Sequence, residues 1–467
     1  DYIDLRYKRL YIADNEQIEF TKPETGLPGT YHFRISGFND PDISVYKVGK
    51  SKLMDFSVEY STLTKNYSIL IEDEIGNQND QYFAASRSGT LQPVSIQPDT
   101  IFNIIQEPGK TDLIIIASEE FKYKLNRLTS FYEDIEITPF VVGIKDVYNE
   151  FNNGIVSPYA IRNFLEYVKE NWQHKPNAVL LIGDSEIREQ KSVPAFFNQS
   201  FKYGACASDQ WYVVFDEKSG IPEYTIGRWP VSSQEELELM IDKRINYVTK
   251  APVDQWHNEL LYIAGYEDAF KNQTENMIQR QIPKEFSINR IFINPSSVKT
   301  PFFGGSDTLL YLWNQGLALI NFMGHGGGAV WSDRSLFNTT HIEYLDNYDK
   351  LPFIISLTCF TADFAHMTGL GEHLVLAENG GAIGLWGATS VGWIKNDYLM
   401  AKFFYDVIFE PGITVGEAIQ YSKIKYLADQ YFDYLKYSMV NSYNLIGDPT
   451  VVIPFPEQRA SLSTDKS

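Results

Sequence analysis

Leu317-Ala-Leu-Ile-Asn-Phe-Met-Gly-His325-Gly-Gly-Gly328 and Leu351-Pro-Phe-Ile-Ile-Ser-Leu-Thr-Cys359-Phe360 decide how this chain is read. Both are short, apolar and rich in β-formers, and each breaks off on small or turn-forming residues. A buried parallel strand has this look, because both of its faces are covered and no alternation survives. Such strands deliver their next residue to the carboxyl edge of the sheet, where ligands of open α/β sheets bind. If the two strands are neighbours, the His325 imidazole and the Cys359 thiol come out side by side. They are the candidate catalytic pair.

At 467 residues the chain exceeds one ordinary core, so two or three domains are expected. Its hydrophobic share of 44% and charged share of 21% are those of a globular protein. A net charge of −20 with no basic stretch argues against a nucleic-acid partner. The excess carboxylates read as a solvated acidic surface. No apolar run reaches the roughly 20 residues that span a bilayer. The chain opens Asp1-Tyr-Ile-Asp-Leu5 without a signal peptide, as the interior of a longer polypeptide does. Two cysteines, Cys206 and Cys359, cannot build a disulfide framework or a four-thiolate metal site. Cysteine is usually a small core residue, but one kept just past a buried strand invites the nucleophile reading.

Working outward from the strand pair, residues 1 to about 107 are β-rich. Tyr31–Ile35, Ser44–Val48, Met54–Tyr60 and Tyr67–Ile71 are punctuated by Gly, Asn, Asp and Pro, which predicts a sandwich. His32 reads as a packed or surface histidine. From Thr111 the texture is α/β, with strands at Thr111–Ala117, Phe140–Ile144, Ala178–Asp184, Ile221–Trp229, Glu259–Gly265, Ser287–Ile293 and Gly380–Ala388. Helices are expected at Pro158–Val168, Ser232–Tyr247, Asn272–Gln281 and Val415–Tyr426, and a closing strand at Thr450–Pro454. Strands alternating with helices imply a mainly parallel sheet. Asp184, ending its strand, is placed near an edge site. Cys206 reads as a structural residue in a loop.

A cysteine nucleophile needs a base or cation to favour its thiolate, and donors for the oxyanion. His325 supplies the first. The glycines beside it allow a sharp turn and a close approach by substrate, with the N–H groups of Gly326 and Cys359 as donors. Two apolar strands ending on the required residues, 34 positions apart (359 − 325), form a specific signal.

Met323-Gly-His-Gly326 and Leu357-Thr-Cys359 resemble the His-Gly and Cys blocks of the gingipain family, a bacterial branch of the caspase-like cysteine peptidases. Val179-Leu-Leu-Ile-Gly-Asp184, Ile226-Gly-Arg-Trp229, Ile446-Gly-Asp-Pro449 and the closing strand resemble further blocks, in order, over roughly residues 108 to 456. The β-rich module and the Cys359 region are also similar to PorU-type sortases of the type IX secretion system. The resemblance implies an α/β caspase-like fold, two adjacent mainly parallel-sheet subdomains with helices on both faces, behind an all-β sandwich-like domain. The domains implied are 1–107 (β-sandwich-like), 108–250 (subdomain A), 251–456 (catalytic subdomain B) and a polar tail, 457–467.

The same resemblance implies a secreted or cell-surface endopeptidase acting on proteins or peptides through an acyl-enzyme. Cys359 attacks the carbonyl, His325 protonates the leaving amine, Gly326 and Cys359 hold the oxyanion, and Glu267 supports the histidine. No cofactor is required for the chemistry; structural Ca²⁺ is implied, with no ligands assigned. Trp393, Met323 and Leu357 would wall the primary pocket. The aspartate of arginine-selective members should fall near Lys271 or Asn272 and is absent. Asp397, on the loop after Trp393, falls close to where lysine-selective members place an acid, so a modest Lys preference is expected unless its side chain points to solvent.

Other readings compete. A sortase-like transpeptidase would use the same dyad, and a non-catalytic surface or adhesion module would keep the fold, although the intact His325, Gly326 and Cys359 argue against it. A metal site from His366, Glu372 and His373 lacks the HExxH helix spacing. No strand–Gly-x-Ser-x-Gly–helix elbow supports a serine hydrolase.

Overall fold

The structure is a computed structural model that describes residues 9–23, 27–76, 80–91, 103–185, 192–294, 301–365, 369–429 and 434–456. The polar tail at 457–467 and His366 lie outside the described residues. The chain divides into two compact units, Asp1–Ile101 and Phe102–Ser467.

In the first unit, strands Gln17–Thr21, Gln81–Ser86, Ile43–Lys47 and Ser51–Leu53 form one antiparallel sheet, and Gly29–Phe38, Asn66–Ile75 and Phe56–Ser61 another. Alternate residues turn inward, as the period of two demands: Phe33 and Ile35, Ile69 and Ile71, Tyr82 and Ala84 share one core. Asp73 ties the sheets together, accepting from Lys47 Nζ at 2.7 Å and from Tyr82 O–H at 2.5 Å. His32 lies on the surface, 3.4 Å from Glu72.

The second unit is built on one ten-stranded sheet. Its strands are β1 (Leu113–Ala117), β2 (Pro139–Gly143), β3 (Ala178–Ile182), β4 (Thr225–Trp229), β5 (Glu259–Ala264), β6 (Ser287–Phe292), β7 (Leu319–Met323), β8 (Phe353–Leu357), β9 (Gly384–Ala388) and β10 (Tyr443–Gly447). They lie in the order β6-β5-β7-β8-β9-β10-β4-β3-β1-β2. Every pairing is parallel except β9 with β10. Two parallel halves therefore run in opposite directions, joined through β10. Both faces are covered: Leu113, Ile115 and Ala117 enter one core, Ile114 and Ile116 another, which is why these strands read as unbroken apolar runs.

The predicted helices form, three of them with side-chain caps. Ser157 caps Pro158–Asn171, and Ser233 with Glu236 makes a capping box on Gln234–Thr249. Thr414 with Glu417 does the same on Val415–Ala428. Four expectations change. The closing strand is Tyr443–Gly447, not Thr450–Pro454, because buried Asp448 and then Pro449 end the pairing; beyond them Val452 makes an isolated bridge to Thr414. Cys206 is not in a loop but buried in strand Gly204–Ser208, where burial raises its thiol to about 11. Asp184 ends a strand of the oppositely directed half, so it stands at the other edge from the ends of β7 and β8. Asp397 is not on a loop either, but in the first turn of helix Ile394–Tyr405. No helix among the described residues is long and apolar enough to cross a membrane.

Candidate active site

β7 and β8 are neighbours, with Met323 opposite Leu357. His325 and Cys359 each stand two residues beyond that pair, on chains about 4.8 Å apart where the strands end. The chain after His325 turns into a small hairpin, Gly326–Gly327 against Val330–Trp331. The Ser332 N–H donates to the His325 carbonyl at 3.0 Å. This bond flanks the Gly326–Trp331 pair and makes it a non-hydrogen-bonded one, so the ladder does not consume the Gly326 N–H. A Cβ at Gly326 would lie 2.6 Å from the Thr358 side chain and 3.0 Å from the Cys359 carbonyl oxygen. Glycine is needed there for close approach.

The His325 ring bonds through Nε2 to Glu267 Oε1 at 3.1 Å, both side chains being about half exposed. Glu267 occupies the N-cap position of helix Asp268–Gln281 without capping it. Its carboxylate thus sits in the favourable field of a helix N-terminus while reaching the imidazole. Phe270, one turn on, meets the ring edge-on at 5.1 Å between centroids. Beneath the pair, Asp333 Oδ2 accepts the His325 N–H at 2.9 Å, and the Asp333 carboxylate also accepts the Tyr266 N–H. Burial raises the Asp333 pKa, and the Tyr266 N–H and the His325 charge oppose that rise.

Cys359 is partly buried. Burial raises its thiol pKa, a hydrogen bond from the Gly392 N–H lowers it, and the Asp397 charge raises it further. Phe360 follows with φ of 61°, a left-handed conformation unusual for a bulky residue, and donates its N–H to the Ser390 carbonyl at 2.9 Å. The floor is polar: Ser356 Oγ meets Trp331 Nε1 at 3.0 Å and Thr361 Oγ1 at 2.9 Å.

Residues 106–454 match Peptidase family C25. The chain belongs to peptidase family C25. Over 239 residues it is 29% identical to gingipain R2 of Porphyromonas gingivalis, a stretch covering 49% of this chain and 30% of that protein. Over 306 residues it is 23% identical to Lys-gingipain of the same species, covering 61% of this chain and 16% of the relative. It spans less than a third of the length of these curated relatives. Among solved structures, it is similar to the Arg-specific cysteine proteinase gingipain R with a TM-score of 0.62 and 20% identity, covering 75% of this chain and 80% of that one. To dimeric latent PorU from Porphyromonas gingivalis the TM-score is 0.52 at 18% identity, covering 96% of this chain and 40% of that one. The fold is the caspase-like fold of gingipain.

In this C25 chain the residues expected to line a primary pocket differ in burial. Trp393, at the N-cap of helix Ile394–Tyr405, is partly buried and lies 5.7 Å from Phe201, ring to ring. Met323 and Leu357 are fully buried in the core under the dyad, with Met323 Sδ against Thr274 Oγ1. Asp397 is buried rather than solvent-facing. Its Oδ1 accepts from Tyr443 O–H at 2.7 Å, its carboxylate also takes the Trp393 N–H, and burial raises its pKa to about 6. Lys271 stands where an acid would be sought, its amine 5.9 Å from the Phe292 ring centre. Sequence reasoning missed Asp333 and Gly392. Gly265 and Gly324 signalled the first, since a side chain at either would collide with the Asp333 carboxylate. No group of three or more His, Cys, Asp or Glu among the described residues is placed to hold a metal ion.

Proposed function

We propose that this C25 chain acts outside the cell as a cysteine endopeptidase. One observation carries the reading: His325 and Cys359 each stand two residues beyond the ends of neighbouring, in-register strands, and His325 is bonded to Glu267. His325 takes the thiol proton and Cys359 Sγ attacks the peptide carbonyl. The Gly326 and Cys359 N–H groups receive the oxyanion. The His325 imidazolium returns the proton to the departing amine, leaving a thioester that water hydrolyses. A basic residue before the scissile bond, Lys in preference to Arg, is favoured by Asp397, a buried carboxylate whose charge reaches Cys359.

Labelling with a peptidyl electrophile tests the dyad. Wild type and Cys206→Ala should be labelled and Cys359→Ala should not; label on Cys359→Ala defeats the proposal. A peptide-library cleavage profile tests the specificity: loss of the Lys preference in Asp397→Asn is expected, and an unchanged profile removes Asp397 from that role. Product masses with an added amine separate hydrolysis from transfer.

A further inference from the structure

We infer that Asp333 is a positioning residue for the dyad, holding in one register the two chain segments that carry His325 and Glu267. The inference rests on the Cys359–His325 reading above. β5 and β7 are adjacent, and Tyr266 and His325 lie just past their ends. The Asp333 carboxylate takes the N–H of each. Glu267 directly follows Tyr266, so the 3.1 Å bond between Glu267 and His325 is set from below by a single carboxylate bridging both backbones.

Three features show that the arrangement is specific. Asp333 is buried at 7% exposure, although it opens a short 3₁₀ turn where an aspartate would ordinarily face water. Its surroundings are cleared for it, since a Cβ at Gly265 or at Gly324 would occupy the place of Oδ2. Neither glycine is needed for a left-handed turn, as neither has a positive φ; both keep space. The His325 charge also acts on this carboxylate, opposing the rise in the Asp333 pKa that burial causes. Asp333 touches neither substrate nor thiol; it acts through the histidine and its carboxylate partner.

Steady-state kinetics on the fluorogenic peptide that wild type cleaves fastest test this, after labelling has placed the nucleophile at Cys359. Asp333→Ala should lower kcat about a hundredfold with KM within about twofold, the scale expected of a misplaced catalytic group. Asp333→Asn keeps one acceptor oxygen and should recover about tenfold of that loss. Gly265→Ala, which leaves Asp333 in place but fills its site, should lower kcat about tenfold. Combining Asp333→Asn with Glu267→Gln should cost less than the product of the single losses, because both act on one imidazole. A fall in melting temperature with kcat unchanged in Asp333→Asn and Gly265→Ala overturns the inference, as do fully multiplicative losses. Where Asp333→Ala does not fold, the other two variants decide. Failure to label wild type at Cys359 defeats the dyad reading instead.

Discussion

Phe360 adopts φ of 61° directly after the candidate nucleophile, a conformation that costs a residue with a Cβ roughly 1–2 kcal/mol. The turn re-aims the chain so that Cys359 stays at the strand end while Phe360 N–H reaches Ser390. Glycine normally destabilises relative to alanine, but here the order should invert. Phe360→Gly is expected to be about 1 kcal/mol more stable than Phe360→Ala in urea unfolding; equal midpoints would show that no strain is held there. Glu267 makes a partly solvated bond, so Glu267→Gln should lower kcat only about tenfold and leave the melting temperature within a degree or so. Glu372 behaves differently. Burial first, then the charges of Asp184, Glu236 and Asp363, raise its pKa to about 8 from an unfolded value near 4.5. The folded state then holds a proton that the unfolded state releases between those values, so this residue's contribution to stability falls as pH rises through that window. Glu372→Gln should match wild type at pH 4 and melt higher at pH 8; a gain confined to low pH would contradict the sign.

At the scale of the element, two sequence blocks that pointed to the peptidase family prove to be structural. Arg228, in β4, is fully buried and grips Asp209 with two bonds, Nε to Oδ2 at 2.7 Å and Nη2 to Oδ1 at 2.6 Å, while Nη1 donates to the Gly183 and Val193 carbonyls. Asp448, just past β10, is held by Arg244 and by Tyr132 O–H at 2.8 Å. A buried charge left without its partner is costly, so Arg228→Met should destabilise by about 3–5 kcal/mol in denaturant unfolding. Replacing Arg228 and Asp209 together by apolar residues should recover part of that loss. The helix that carries Trp393 and Asp397 went unread because Asn396 and Asp397 look like turn formers. In the fold they are anchored, Asn396 by donating from Nδ2 to the Tyr426 hydroxyl oxygen at 2.6 Å and Asp397 by accepting from Tyr443 O–H.

Across the molecule, the C25 unit is a single sheet whose two parallel halves meet through β10. All eight tryptophans fall between residues 172 and 393, so their fluorescence reports this unit alone. Because β10 pairs with both halves and buried ion pairs lock its end, the unit should unfold in one fluorescence transition. Arg228→Met, a change in one half, should move the whole curve. Two resolved steps, with only one of them shifted, would count against a continuous core. The reversal of strand direction at β9–β10 also explains why Asp184 belongs to the opposite edge from the dyad.

The strand pair ending on His325 and Cys359 was legible because a doubly covered parallel strand must be apolar throughout and must stop on a turn. The helix start at Ser233 was equally plain, since a cap hydroxyl three residues before Glu236 satisfies the first amides locally. The amino-acid sequence by itself thus determined the α/β frame and the family, and it pointed to His325 and Cys359 as the candidate dyad. Only the tertiary structure decided the rest: which strands run against the others, that Asp333 reaches back under His325 and Tyr266, that Met323, Leu357 and Asp397 are buried, and that Gly392 meets the thiol. Those contacts join residues whose local sequences carry no mark of each other. They exist because burial leaves backbone amides and carboxylates no partner but one another.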